Sequence, residues 1–129
     1  MNVEWFTNEK EKVATIYETN ITFNTVAAKH FKDSYSTLVG FDIENKVLLI
    51  KPITKDEART RNLSEDEMHT MSIKPSYGRI NGKNIVKKLC LYFPIDFTTS
   101  KSHKYMCEWS HEDNLLKVHL LREVLLCFK

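Results

Sequence analysis

The chain has 129 residues, a net charge of +2, 42% apolar residues and 28% charged residues, which is the balance of a folded domain and excludes a disordered or low-complexity chain. That length fits one domain, or two very small repeats that share a core. No apolar run approaches the roughly 20 residues needed to cross a bilayer, and the start, Met1-Asn2-Val3-Glu4-Trp5-Phe6, has no basic region ahead of an apolar block, so the expected location is cytoplasmic, without a membrane partner.

Residues 1–12 form an acidic and polar N-terminal segment around Trp5-Phe6, expected to fray or to pack by those two rings. "TIYETNITFN", residues 15–24, reads as strand structure, and "TVAAKHFK" after it reads as a short helix with Val26, Ala27 and Phe31 on one face. "STLVGFDIENKVLLIKPI", residues 36–53, reads as a hairpin turning at Glu44-Asn45. With that turn Ile43 pairs with Lys46 and Phe41 with Leu48, and Val39, Phe41, Leu48 and Ile50 share a face. Leu38, Val47 and Leu49 make the other face partly apolar as well, so the hairpin is expected to be covered on both sides.

Residues 54–70 are a charged linker in which Thr54 with Glu57, and Ser64 with Glu67, are each spaced as a capping box, predicting one or two short helices. "SIKPSYGRIN", residues 72–81, mirrors residues 15–24, and "KNIVKKLCLYF" follows as a helix with Ile85, Val86, Leu89 and Tyr92 or Phe93 on its apolar face. Pro94 ends it, and "PIDFTTS", residues 94–100, is an insertion. "YMCEWSHEDNLLKVHLL", residues 105–121, is a second hairpin turning at Glu112-Asp113, with Trp109 opposite Leu116. Tyr105, Cys107, Trp109, Leu116, Val118 and Leu120 form one face. The tail "LLREVLLCFK" is expected to dock as a strand end or short helix.

The same order of elements occurs twice. A shift of 57 residues brings Ile16 to Ile73, Phe23 to Ile80 and Asn24 to Asn81; a shift of 68 brings Phe41 to Trp109, Glu44 to Glu112 and Ile50 to Val118. The expected fold is therefore α+β and β-rich: two strand–helix–hairpin repeats, residues 13–53 and 71–129, sharing one core as a swapped-hairpin or small barrel-like domain with short helices.

This order resembles the swapped-hairpin family of AbrB- and MraZ-type proteins. "NITFNTVAAKHF" is similar to the family's opening strand and helix, "LVGFDIENKVLLIKPI" to its closing hairpin, and "YGRINGKNIVKKL" to the Gly-Arg and aliphatic start of a MraZ repeat. The resemblance implies two half-units interlocked about a pseudo-two-fold axis, within one chain or between chains as a homo-oligomer. It also implies a DNA-binding transcriptional regulator.

Charge is distributed unevenly: residues 1–53 sum to −1, residues 54–70 to −2 and residues 71–129 to +5, with no acid between Met68 and Ile95. Such asymmetry suits a polyanion. The candidate contacts to double-stranded DNA are Arg79, Asn81, Lys83, Asn84, Lys87 and Lys88, with Lys29 and Lys32 marking the corresponding helix of the first repeat. Lys83 and Lys87 are four apart and share a helix face. The plain alternative is that these lysines solvate a helix, and that the chain is a non-catalytic protein-interaction or scaffold module.

Catalytic and metal chemistry find little purchase. No Gly-x-Ser-x-Gly, HExxH or phosphate-cradling glycine loop is present, so no catalytic residue or cofactor is assigned. His103, Cys107, His111 and His119 have spacings that invite zinc, but the hairpin puts His119 on the opposite face of the sheet from Cys107, and His103 four strand residues from Cys107, roughly 13 Å away. Cys90, Cys107 and Cys127 are odd in number with no CxxC pair, which points to free thiols.

Overall fold

The computed structural model describes residues 1–125. Eight strands form one antiparallel sheet: β1 (Val13–Tyr17), β2 (Asn20–Asn24), β3 (Ser36–Asp42), β4 (Val47–Ile53), β5 (Met71–Ile73), β6 (Tyr77–Asn81), β7 (Ser102–Ser110) and β8 (Leu115–Glu123). Three short helices, α1 (Thr25–Ala28), α2 (Lys55–Thr60) and α3 (Lys83–Tyr92), and two 3-10 turns, Lys29–Phe31 and Glu65–Glu67, fill the connections. The spatial order is β3-β4-β8-β7-β1-β2-β6-β5. The two ends of that order meet where Thr37 and His69 exchange backbone hydrogen bonds, at 3.1 and 2.8 Å, which makes the sheet a nearly closed barrel.

Alternation along the strands fills the bore. Ala14, Ile16, Ile21, Phe23, Leu48, Ile50, Ile80, Leu116 and Val118 are buried in a single cluster. The helices close it: Ala27, Ala28 and Phe31 enter from α1 and its 3-10 extension, and Val86 and Leu89 from α3. Asn24 starts α1 as its N-cap, its Oδ1 accepting the Ala27 N–H at 3.2 Å. The same oxygen accepts the Val13 N–H at 3.1 Å, so one side chain ties the helix start to the first strand.

Both hairpins hold the expected register, Phe41 opposite Leu48 and Trp109 opposite Leu116. The turns are longer than expected. Ile43 and Lys46 do not pair, and residues 43–46 and 111–114 are four-residue turns. The reason is local: Asp42 Oδ1 accepts the Asn45 N–H and Ser110 Oγ accepts the Asp113 N–H, each at 3.2 Å. The chain then re-enters the ladder through left-handed Lys46 (φ 56°) and Asn114 (φ 52°).

The linker forms both predicted helical turns. Thr54 Oγ1 accepts the Glu57 N–H at 3.0 Å while Glu57 accepts the Thr54 N–H at 2.9 Å; Glu67 likewise accepts the Ser64 N–H at 3.2 Å. Covering of the first hairpin's outer side is partial: Val47 and Ile53 are buried there, as is Ala58 of α2, while Leu38 and Leu49 are half-buried. In the N-terminal segment Trp5 and Phe6 are 85% and 90% exposed, but residues from Glu9 onward are fastened. The Glu11 carbonyl accepts from Asn24 Nδ2 at 2.8 Å and the Lys12 carbonyl accepts the Cys107 N–H at 2.9 Å. At the other end β8 runs to Glu123; Cys127 and the last part of the tail lie outside the described residues.

Candidate nucleic-acid interface

β6 turns Gly78 and Ile80 into the core, so Arg79 falls on the outer face, opposite Thr22 on one side and Ser72 on the other. Its guanidinium lies over the Tyr77 ring, 5.1 Å from the centroid. Its Nε is buried without a hydrogen-bond partner. Arg79 is thus half-committed to the barrel wall and presents only part of its fork outward. Asn81 ends the strand, exposed, opposite Asn20.

After Gly82, α3 carries the remaining candidates of residues 71–129. Burial of Val86 and Leu89 fixes the helix's rotation, and Lys83, Asn84, Lys87 and Lys88 come out exposed. They fall in two adjacent rows, Lys83–Lys87 and Asn84–Lys88. No ion pair among the described residues involves Arg79, Lys83, Lys87 or Lys88. The first turn of α3 holds no acid, and its N-cap, Gly82, offers no side-chain cap. A lysine in that turn meets the positive end of the helix dipole, which costs a few tenths of a kcal/mol at an exposed site.

The Asn84–Lys88 row borders a cleft of about 450 Å³. Its apolar walls are Val39, Phe41 and Leu48 from the first hairpin and Ile85, Leu89 and Tyr92 from α3, with Asp66 and His69 of the linker at the rim. Phe41 and Tyr92 are in ring contact across it, 5.7 Å between centroids.

Lys29 and Lys32 are not part of this surface. Lys29 borders a second cleft, of about 530 Å³, between the 3-10 turn after α1, the second hairpin and the N-terminal segment. There Lys29 pairs with Glu9, which also holds Lys12 at 2.8 Å. The hydrogen bonds from Lys12 and Lys29 hold the Glu9 carboxyl down at about 2. His30 stacks flat on Trp109 in this cleft, 4.2 Å between centroids and 4° between planes. Burial, then the charges of Lys12 and Lys29, push its pKa below the ordinary imidazole value. Burial also drives the Cys107 thiol up to about 12, which keeps it an inert neutral thiol. Lys32 is exposed at the end of the same 3-10 turn.

Two of the histidines that invited a metal reading, His103 and His119, have other partners. His103 Nδ1 is 2.8 Å from Glu123 Oε2 and its Nε2 is 2.7 Å from the Asp96 carbonyl; His119 meets Glu108 at 3.3 Å. Among the described residues no group of three or more His, Cys, Asp or Glu side chains is arranged to hold a metal ion.

Sequence reading missed the two clefts and the His30–Trp109 stack. Each joins residues of one half of the chain to a hairpin of the other, and no short-range spacing encodes that. Comparison of the chain with models of known protein families, with curated proteins and with solved structures finds no match.

Proposed function

We propose that the chain is a duplicated swapped-hairpin module acting as a DNA-binding transcriptional regulator, with α3 lying against the phosphate backbone. Three features support the duplicated architecture. With the Thr37–His69 join counted, exchanging β1 with β5, β2 with β6, β3 with β7 and β4 with β8 returns the same cyclic strand order. The turn-forming residues Asp42, Asn45 and Lys46 recur as Ser110, Asp113 and Asn114, all at an offset of 68. Each hairpin packs on the helix of the other half: Phe41 on Tyr92, and Trp109 on His30 and Phe31.

The single observation that carries the binding reading is the state of Lys83, Lys87 and Lys88. Three exposed cations stand on one ten-residue helix, outside any ion pair among the described residues, in a stretch without acids and partly at the wrong end of the helix dipole. Helix stability does not ask for them there, whereas phosphates do. Arg79 and Asn81 flank the helix start; Lys29 and Lys32 would contribute from another part of the surface.

Anisotropy of a labelled random duplex tests this. Binding is expected at about 50 mM salt and should weaken steeply by about 200 mM. The double substitution Lys83→Glu, Lys87→Glu should remove it with the circular dichroism spectrum unchanged. No binding at low salt, or equal binding by the double variant, would sink the reading.

The second reading, a non-catalytic interaction module, is favoured by the apolar cleft between the first hairpin and α3. Leu91 (80% exposed) and Ile43 (55% exposed) add apolar surface on the two elements that flank it.

A further inference from the structure

The cleft beside α3 has a feature beyond its apolar walls. Thr37 spends both its backbone groups on His69, across the gap between β3 and the chain leading into β5. In an antiparallel ladder the direction of these groups alternates, so those of Val39 and Phe41 point into the same gap. Continuing the pairing would require residues 67 and 65 opposite them, but Ser64–Glu67 is wound into a 3-10 turn by its own capping box. Among the described residues no hydrogen bond reaches Val39 or Phe41 from that side. A free strand edge therefore lies along an apolar cleft, the combination that accepts an added strand.

The chain also carries a segment suited to it. Residues 3–6, Val-Glu-Trp-Phe, have no regular structure, and Val3, Trp5 and Phe6 are 51%, 85% and 90% exposed. When the segment is extended, Val3 and Trp5 share a face while its backbone stays free to pair. Residues 1–9 include Glu4 and Glu9 but no Lys or Arg. Glu9 is already occupied by Lys12 and Lys29, leaving Glu4 free to pair with Lys88, which stands on the α3 side of a rim whose linker side carries Asp66.

We propose that residues 3–6 of one copy add as a strand to the free edge of β3 at Val39 and Phe41 in a second copy, with Trp5 seated in the cleft against Phe41 and Tyr92. Reciprocal exchange closes a two-fold dimer. The docking does not depend on nucleic acid, and residues 3–6 lie outside the α3 cations, so the two ideas are read from different variants.

Sedimentation velocity from about 1 to about 100 μM decides it. The wild-type protein should pass from monomer to dimer over that range. Trp5→Ala with Phe6→Ala should remain monomeric throughout. Val39→Pro, which deletes the edge N–H without touching the β3–β4 ladder, should do the same. If Val39→Pro misfolds, Glu4→Lys replaces it: it should weaken the dimer, and adding Lys88→Glu should restore it. A wild-type protein monomeric at the highest concentration overturns the proposal, including the outcome in which the segment folds back on its own cleft. So does a dimer that survives the Trp5, Phe6 double substitution.

Discussion

The junctions β1–β7 and β3–β5 occupy corresponding places in the barrel, yet they are built differently. β1 pairs with β7 over five positions, Val13 to Tyr17, and Lys12 carries the bonding one step further to Cys107. At the other junction, among the described residues, Thr37 with His69 is the only pair. Cys107 and Val39 correspond at the hairpin offset of 68, so the same position is bonded in one half and free in the other. The difference originates in the lead-in sequences. Residues 10–12 lead into β1 without a helical turn, with Glu9 holding Lys12 and Lys29, whereas residues 64–67 coil on themselves. A few polar side chains ahead of a strand thus decide whether a barrel zips shut, while the hydrophobic core is common to both sides.

The largest effect should come from the helical plugs. Phe31→Ala should cost about 3–5 kcal/mol and Leu89→Ala about 2–5 kcal/mol in urea unfolding, since each empties a buried site where a helix enters the core. A negligible cost at Leu89 would break the equivalence of the two plugs.

Thr37→Val comes next. Thr37 is fully buried and its hydroxyl donates to the His69 carbonyl, which also accepts the Thr37 N–H, so the substitution removes one of that acceptor's two bonds, at about 0.5–1.5 kcal/mol. Hydrogen exchange should rise at His69 and Thr37 but not along β1. Equal acceleration at β1 would mean that the two junctions open as one unit.

The smallest effect is a pH dependence with opposite signs in two histidines. His30, beside the well-zipped junction, has a lowered pKa, chiefly through burial. Its contribution to stability is present above the ordinary imidazole range and is lost as pH falls through it. For His103 burial also pulls downward, but the Glu123 carboxylate and the Asp96 carbonyl outweigh it and the pKa is raised. Its contribution is present at lower pH and is lost as pH rises through its folded value. Ring-proton titration by NMR should show His103 titrating at higher pH than His30; the reverse order would undo both assignments.

The hairpins were legible because their information is local. Alternating apolar residues fixed the registers Phe41–Leu48 and Trp109–Leu116, and the capping boxes at Thr54 and Ser64 announced their turns. Turn length escaped the sequence reading because it depends on Asp42 and Ser110 reaching three residues ahead. At the candidate interface, exposure of Lys83, Lys87 and Lys88 followed from the apolar spacing of Val86 and Leu89. The stacking of Arg79 on Tyr77 did not, since strand alternation assigns a face and not a rotamer. The clefts were beyond reach altogether: Phe41 meets Tyr92, and His30 meets Trp109, only once residues about 50 to 80 positions apart are brought together by the barrel.

Gly78 has a consequence of its own. A Cβ there would lie 2.9 Å from the Met71 sulfur, closer than real Cβ atoms stand, and 3.0 Å from the Ala28 Cβ, tighter than nearly all real contacts. The wall is therefore tightly packed where the first helix, the fifth strand and the sixth strand meet, at three residues that are slim or pliable. Even an alanine at 78 would have to lever the first helix outward or displace the methionine. The glycine beside Arg79 thus reads as a clearance fit between two halves of the molecule, a demand of assembly that holds whether or not anything is ever bound.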